Sequence, residues 1–159
     1  MAHQAKVLTV SDGVIAGTRD DASGRAVEER LASAGYEVVE RRAVADGVES
    51  VSDALREMTG GFAGLVLTTG GTGFGPRDLT PEGTRATLER EAPGLAEAMR
   101  HATFGVNPHG MLSRGLAGSI GAALVCNLPG SSTGAVESLD AVLDALPHAL
   151  DLLAGHRPH

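Results

Sequence analysis

The sequence predicts an α/β fold, a three-layer α/β/α sandwich with a mostly parallel central sheet. Short apolar runs alternate along the chain with segments of helical periodicity, the order expected of βαβ units. The runs are apolar along nearly their whole length, as strands covered on both faces must be. The 159 residues suit one domain, large enough to bury about 70% of the surface its unfolded chain exposes.

Residues 6–10 predict the first strand. Val27, Leu31 and Ala34 then stand at i, i+4 and i+7 of a helix over 25–34 that Gly35 stops, with Asp20 and Asp21 capping or preceding it. Residues 36–44 predict a second strand. Val51, Leu55 and Met58 repeat the helical spacing, and Gly60-Gly61 closes that helix. Residues 65–69 predict a third strand. Thr80 then reads as an N-cap with Pro81 at N1, where the missing N–H costs nothing. Pro93 opens a helix through Leu95 and Met99, and residues 122–127 predict the last strand. Val136, Leu139, Leu143 and Leu146 mark a terminal helix that Pro147 kinks or splits before Leu150 and Leu153. No linker, repeat or low-complexity segment interrupts this order.

Composition excludes several function classes. The net charge is −7, and Lys6 is the only lysine beside twelve scattered arginines, so no basic face for nucleic acid is expected. A P-loop and a Schiff-base enzyme each need a lysine in the site. No apolar run approaches the roughly 18 residues of a membrane span. Residues 1–6 lack the layout of a secretory signal, and Cys126, the one cysteine, reads as a small core residue; a cytoplasmic protein is expected. The six histidines show no metal-binding spacing, with His156 and His159 in a terminal tail.

In sheets of this class ligands bind beyond the carboxyl ends of the strands. Those ends carry Ser11-Asp12-Gly13, Ala45-Asp46-Gly47, the stretch TTGGTGFGPRD over 68–78, and Asn127-Leu128-Pro129-Gly130-Ser131-Ser132, and no comparable polar cluster marks the strand starts. TTGGTGFGPRD holds four glycines in eleven residues. It is either a long tight turn or a nest of amides for a phosphate, aided by the helix that follows. Its spacing is not that of the dinucleotide fingerprint G-x-G-x-x-G. Asp78 could bond loop amides, bind Mg²⁺ or orient an attacking group, with Asp46 as its partner. Two carboxylates beside a phosphate would repel it unless a divalent cation lies between them. Arg77 and Arg114 are phosphate candidates by their fork geometry, or partners of nearby acids. Gly130-Ser131-Ser132-Thr133-Gly134 matches a nucleophile elbow. The aspartates and histidines that would complete a triad lie on the same terminal segment, too close in sequence to reach Ser132.

VLTVSD (7–12), the turn at Asp46, LVLTTGGTGFGPRDLTPEGT (65–84), REAPGLAEAMR (90–100), MLSR (111–114) and NLPGSS (127–132) resemble, in order and spacing, the molybdopterin adenylyltransferases of molybdenum-cofactor biosynthesis, the Mog/MoaB family that includes the gephyrin G domain. The resemblance covers nearly the whole chain and implies one molybdopterin-binding domain over 1–159. It implies transfer of AMP from Mg²⁺-ATP onto the terminal phosphate of molybdopterin, with release of pyrophosphate. By motif match, Asp46 and Asp78 are the catalytic, magnesium-binding aspartates. Ser11, Asp12, Thr69, Gly70, Gly71, Thr72, Gly73, Asn127, Pro129, Gly130 and Ser131 line the nucleotide site, and Arg77, Thr103, Ser113 and Arg114 belong to the molybdopterin side. A homotrimer and a molybdenum-insertion enzyme as partner are implied as well. Relatives usually carry proline before the aspartate of the second turn and glutamate after it, where this chain has Ala45 and Gly47. Two rivals stay open: a non-catalytic molybdopterin-binding or scaffold module, and a nucleotide hydrolase of the competence-damage type, which shares the glycine loop.

Overall fold

The computed structural model describes residues 2–156, so His159 of the predicted tail lies outside the described residues. Six strands form one sheet: β1 (Gln4–Val10), β2 (Glu37–Val44), β3 (Leu65–Thr69), β4 (Arg90–Glu91), β5 (Ala117–Ile120) and β6 (Ala123–Leu128). The helices are α1 (Asp12–Ile15), α2 (Ala22–Ser33), α3 (Val48–Thr59), α4 (Thr80–Arg85), α5 (Pro93–His101), α6 (Ser132–Val142) and α7 (Leu146–Leu153), with a 3₁₀ turn at Pro108–Leu112. The strand order is β2-β1-β3-β6-β5-β4. Strands β2, β1, β3 and β6 run parallel, β5 runs against β6, and β4 runs against β5.

Strand alternation sorts the core onto two faces. Val7, Leu65, Leu67, Leu124, Cys126 and Leu128 point toward α2, α5, α6 and α7, where they meet Val27, Leu31, Met99, Leu139 and Leu146. Leu8, Val10, Val66 and Val125 point the other way, onto Val51, Ala54, Leu55 and Met58 of α3. Each large side chain so buried contributes about 1.5–3 kcal/mol. The predicted three-layer α/β/α fold with its mostly parallel sheet is the observed one. The four predicted strands are β1, β2, β3 and β6, and the predicted split near Pro147 falls between α6 and α7, with Pro147 in the first turn of α7. Asp21 caps α2 by accepting from the Gly24 amide at 3.1 Å.

Several elements differ from expectation, and the sequence reading holds neither α1 nor the 3₁₀ turn. The antiparallel edge β5–β4 is absent from the sequence reading, because Ala117-Gly118-Ser119-Ile120 has neither an apolar run nor a β-branched one. Gly118 lets the β4 backbone pass where a β-carbon would overlap the Arg90 carbonyl oxygen. The N-cap of α4 is Leu79, not Thr80. The Thr80 hydroxyl is drawn away from its own helix to the Gly70 carbonyl, 2.9 Å distant, since tertiary contact offers a buried acceptor there.

Helix α4 packs closely on α3 at Gly83, where a β-carbon would stand 2.7 Å from Val51 Cβ and 2.8 Å from the Val48 carbonyl oxygen. Replacing Gly83 with alanine is expected to destabilise the protein by about 1–3 kcal/mol through overpacking. Urea unfolding measures it, and an unchanged midpoint would contradict the tight α3–α4 contact.

Candidate active site

The site begins where β3 ends. Gly70 and Gly71 follow with φ of +101° and +69°, a region in which side chains are strained. The Gly70 amide donates to the Leu128 carbonyl of β6 at 3.1 Å, and the Thr80 amide donates to the Gly71 carbonyl at 3.1 Å. A β-carbon at Gly70 would overlap the Val10 carbonyl oxygen, and one at Gly71 would overlap the Thr80 hydroxyl. The glycines therefore make the tight turn that the sequence predicts, and their backbone lines a cavity.

That cavity measures about 500 Å³ and lies at the carboxyl ends of β1, β3 and β6. Ser11, Thr69, Gly70, Gly71, Thr72, Gly73, Gly130 and Ser131 line it, as do Asp46 and Asp78. Asp46 is fixed by a reciprocal pair: its Oδ2 accepts from the Asp12 amide at 2.9 Å, and its own amide donates to Asp12 Oδ1 at 3.1 Å. Its Oδ1 is left facing Gly71, 3.2 Å from where a β-carbon would stand. Asp78 folds back on its own loop, with Oδ2 accepting from the Gly75 amide at 2.9 Å. Gly73 and Gly75 make room for that carboxylate, because a β-carbon at Gly75 would sit 2.7 Å from Oδ2. Gly47, after Asp46, has φ of +134° and starts α3 without a side-chain cap.

These carboxylates fit a magnesium ion shared with substrate. Among the described residues no three acidic, histidine or cysteine side chains gather closely enough to hold a metal alone. Asp46 and Asp78 line one cavity, and the Oδ1 of each is in no hydrogen bond among the described residues. Magnesium is commonly held in this way, by one or two carboxylates plus substrate phosphates.

The two candidate arginines are engaged as cross-links. Arg77 forks onto Asp12, with Nε 2.5 Å from Oδ2 and a terminal nitrogen 3.2 Å from Oδ1, and also donates to the Asp46 carbonyl at 2.8 Å. The Arg77 guanidinium holds the Asp12 carboxyl below the usual carboxylate range. The pair is therefore fully formed at neutral pH and opens only as the pH falls below that range. Arg114 donates to the Gly73 carbonyl at 2.9 Å, the Asp78 carbonyl at 2.7 Å and Glu82 at 2.6 Å. Its bond also lowers the pKa of Glu82.

A second cavity of about 340 Å³ adjoins the first and shares Thr72, Gly73 and Ser131 with it. Thr103 and Ser113 line it. The Thr103 hydroxyl donates to the Arg100 carbonyl at 2.7 Å, and Arg100 donates to the Gly115 carbonyl at 2.9 Å. Pro129 and Asn127 form part of its floor. The Asn127 side chain is buried and fully used within the protein: its amide donates to the Thr68 and Thr84 hydroxyls at 2.9 and 3.0 Å, and its oxygen accepts from the Leu116 amide at 3.0 Å. Thr69 likewise bridges the Pro129 carbonyl at 2.8 Å and Ser23 at 3.0 Å.

Sequence reasoning missed Arg19 and Ser23 on the first cavity, and Arg100 and Glu137 on the second. Each is an isolated polar residue away from a strand end. The only hint at Arg19 is its place between the first strand end and the following helix. Cys126 is buried in the core and its thiol is pushed up to about 12 by burial, so it takes no part in the site. Among the described residues no histidine lines the first cavity beside Ser132.

Residues 6–148 match the family model described as a probable molybdopterin binding domain, and the chain belongs to that family. It is 47% identical to the molybdopterin biosynthesis enzyme MoaB of Thermus thermophilus, covering 96% of this chain and 97% of that one with a TM-score of 0.89. It is 37% identical to the molybdopterin adenylyltransferase of Helicobacter pylori J99, over 94% of this chain and 87% of the relative. It is also 37% identical to gephyrin of Dictyostelium discoideum over 92% of its own length, but spans only 22% of that longer protein.

Because Arg114 ties both ends of the loop to Glu82, its replacement by alanine is expected to speed amide hydrogen exchange over residues 72–78 by about tenfold or more, while the far-ultraviolet circular dichroism stays unchanged. Unaltered exchange in that segment would mean that the loop is held without it.

Proposed function

We propose that the chain is a molybdopterin adenylyltransferase: AMP passes from ATP to the terminal phosphate of molybdopterin, and pyrophosphate leaves. The observation that carries this reading is the pair of cavities that meet at Thr72, Gly73 and Ser131, with Asp46 and Asp78 both on the first. The name of the Helicobacter pylori relative supports it. On this reading residues 1–159 serve as one molybdopterin-binding domain.

ATP would occupy the first cavity, its phosphates against the backbone of Gly70, Gly71, Thr72 and Gly73, with Ser11, Gly130 and Ser131 around it. Molybdopterin would occupy the second, beside Thr103 and Ser113, its phosphate reaching the shared rim. An oxygen of that phosphate bonds to the α-phosphorus of ATP as the bond from the α-phosphorus to its β-bridging oxygen breaks. The attacking oxygen is already ionised, so no general base is required. The chain's task is to hold two anions in line and offset their repulsion. When bound through Asp46 and Asp78, magnesium would supply positive charge between the phosphates. Arg19 is the one cationic side chain on the first cavity, and it pairs with no carboxylate among the described residues. It is suited to the β- and γ-phosphates. Asp12 and Arg77 hold Asp46, Arg114 holds the backbone around Asp78, and Asn127 holds the floor of the second cavity.

We further propose a homotrimer. Phe104, Val106 and Met111 are 55%, 73% and 60% exposed on one segment, an apolar surface that suits association. Light scattering should then give about three times the 16.2 kDa chain mass, and a monomer mass at micromolar concentration would rule it out. A cytoplasmic site of action and delivery of the product to a molybdenum-insertion enzyme complete the reading. No helix among the described residues is long and apolar enough to cross a membrane.

The direct test mixes the full chain with molybdopterin and Mg²⁺-ATP and looks for adenylylated product and pyrophosphate. Asp78→Asn is expected to lower transfer by about a hundredfold or more while molybdopterin still binds. Near-normal transfer by that variant would remove Asp78 from the catalytic role.

A further inference from the structure

We propose that Glu137 reads the 2-amino-4-oxo edge of the pterin and so sets the ring specificity of the second cavity. The inference takes its substrate class from the adenylyl-transfer reading.

Ser131, Gly134, Glu137 and Ser138 all line that cavity. Their spacing of three, three and one places them on one face of α6, turned toward it. Gly134 makes room for the cap of α6, since a β-carbon there would stand 2.7 Å from the Ser131 hydroxyl oxygen. Ala96, Met99 and Leu112 supply apolar wall, suited to the face of a ring. Among the described residues Glu137 is the only carboxylate on this cavity. The neighbouring acids are committed: Asp140 to Arg30 at 2.6 Å, Glu82 to Arg114 at 2.6 Å. Glu137 accepts no hydrogen bond and forms no ion pair among the described residues. The cavity's own arginine, Arg100, is spent on the Ser113 and Gly115 carbonyls.

A pterin presents two parallel N–H donors along one edge, from the ring N3 and the exocyclic 2-amino group. A carboxylate accepts such a pair through both oxygens, as it accepts a guanidinium fork. Six residues of helix separate Ser131 from Glu137, about 9 Å along the axis. A ligand whose ring edge meets Glu137 therefore has its far end near Ser131, on the rim shared with the first cavity. That is the polarity the transfer requires, with ring at one end and phosphate at the other.

The test uses the full chain without ATP, titrated with pterin and with lumazine, the 2,4-dioxo ring that lacks the 2-amino donor, and follows ligand fluorescence. The wild type is expected to bind pterin about tenfold or more tightly than lumazine. Glu137→Gln and Glu137→Ala should lose that preference while keeping the wild-type melting temperature and ATP affinity. A wild type that binds neither ring or prefers neither, or a Glu137→Gln protein that keeps the preference, overturns the proposal. Because no transfer is measured, the result stands apart from the reaction: a chain that prefers pterin through Glu137 yet never adenylylates molybdopterin would count against the transfer reading alone.

Discussion

The backbone of Gly70 and Gly71 is the constraint on which the site depends. Both residues stand at positive φ, where the chain reverses direction between β3 and the rim. A flexible glycine segment costs conformational entropy to fix, about 1–2 kcal/mol per residue, and the fastenings around this pair offset it. Leu128 takes the Gly70 amide, and Thr80 takes both carbonyls, one through its hydroxyl and one through its amide. Thr80 is itself held because α4 is buried against α3. The position of the loop thus traces back to the apolar stripe of Val51, Leu55 and Met58, residues that touch no ligand site.

Charge is handled by the same economy. The chain carries seven more acids than bases, yet on the proposed reading its site takes anions. Most arginines are used as cross-links between segments: Arg77 to Asp12, Arg114 to Glu82, Arg41 to Asp21. Exposed ion pairs of this kind contribute only about 0–1 kcal/mol each, so their value lies in geometry. The reciprocal pair of Asp12 and Asp46 shows this. Neither carboxylate is neutralised by the other, yet each is oriented by the other's amide, and Arg77 closes the arrangement from outside. Left over on the first cavity are loop backbone, Arg19, which pairs with no carboxylate among the described residues, and two carboxylates each with an oxygen in no hydrogen bond there.

The sequence was legible wherever burial imposes a period. Val27 and Leu31, or Val51 and Leu55, announce their helices because the same spacing that makes a pattern makes a buried face. The strand ends were legible too, since small polar residues collect where the sheet stops. The Thr80 cap was not legible, nor were the internal bonds of the Asn127 side chain, for a shared reason. A hydroxyl or amide at an element's end looks the same whether it meets a ligand, its own helix or a neighbouring strand, and only the tertiary fold decides. Glu137 and Arg19 gave almost no signal, because one charged residue on a helix or loop has no period and no partner in sequence.

The antiparallel edge explains why the second cavity was the hardest part to foresee. In the parallel strands the chain arrives at the rim from below, so the residues after each strand form the first cavity. Strand β5 runs the other way, and it is residues before it, Ser113 and Gly115, that stand at the rim. The Asn127 amide fixes that reversal by donating to the Leu116 carbonyl at 2.9 Å, and its side-chain oxygen accepts the Leu116 amide in return. A search limited to strand ends therefore finds the first cavity and misses the walls of the second. One reversed strand beside β6 is enough to set two cavities side by side, because it brings a strand start and a strand end to the same edge of the sheet.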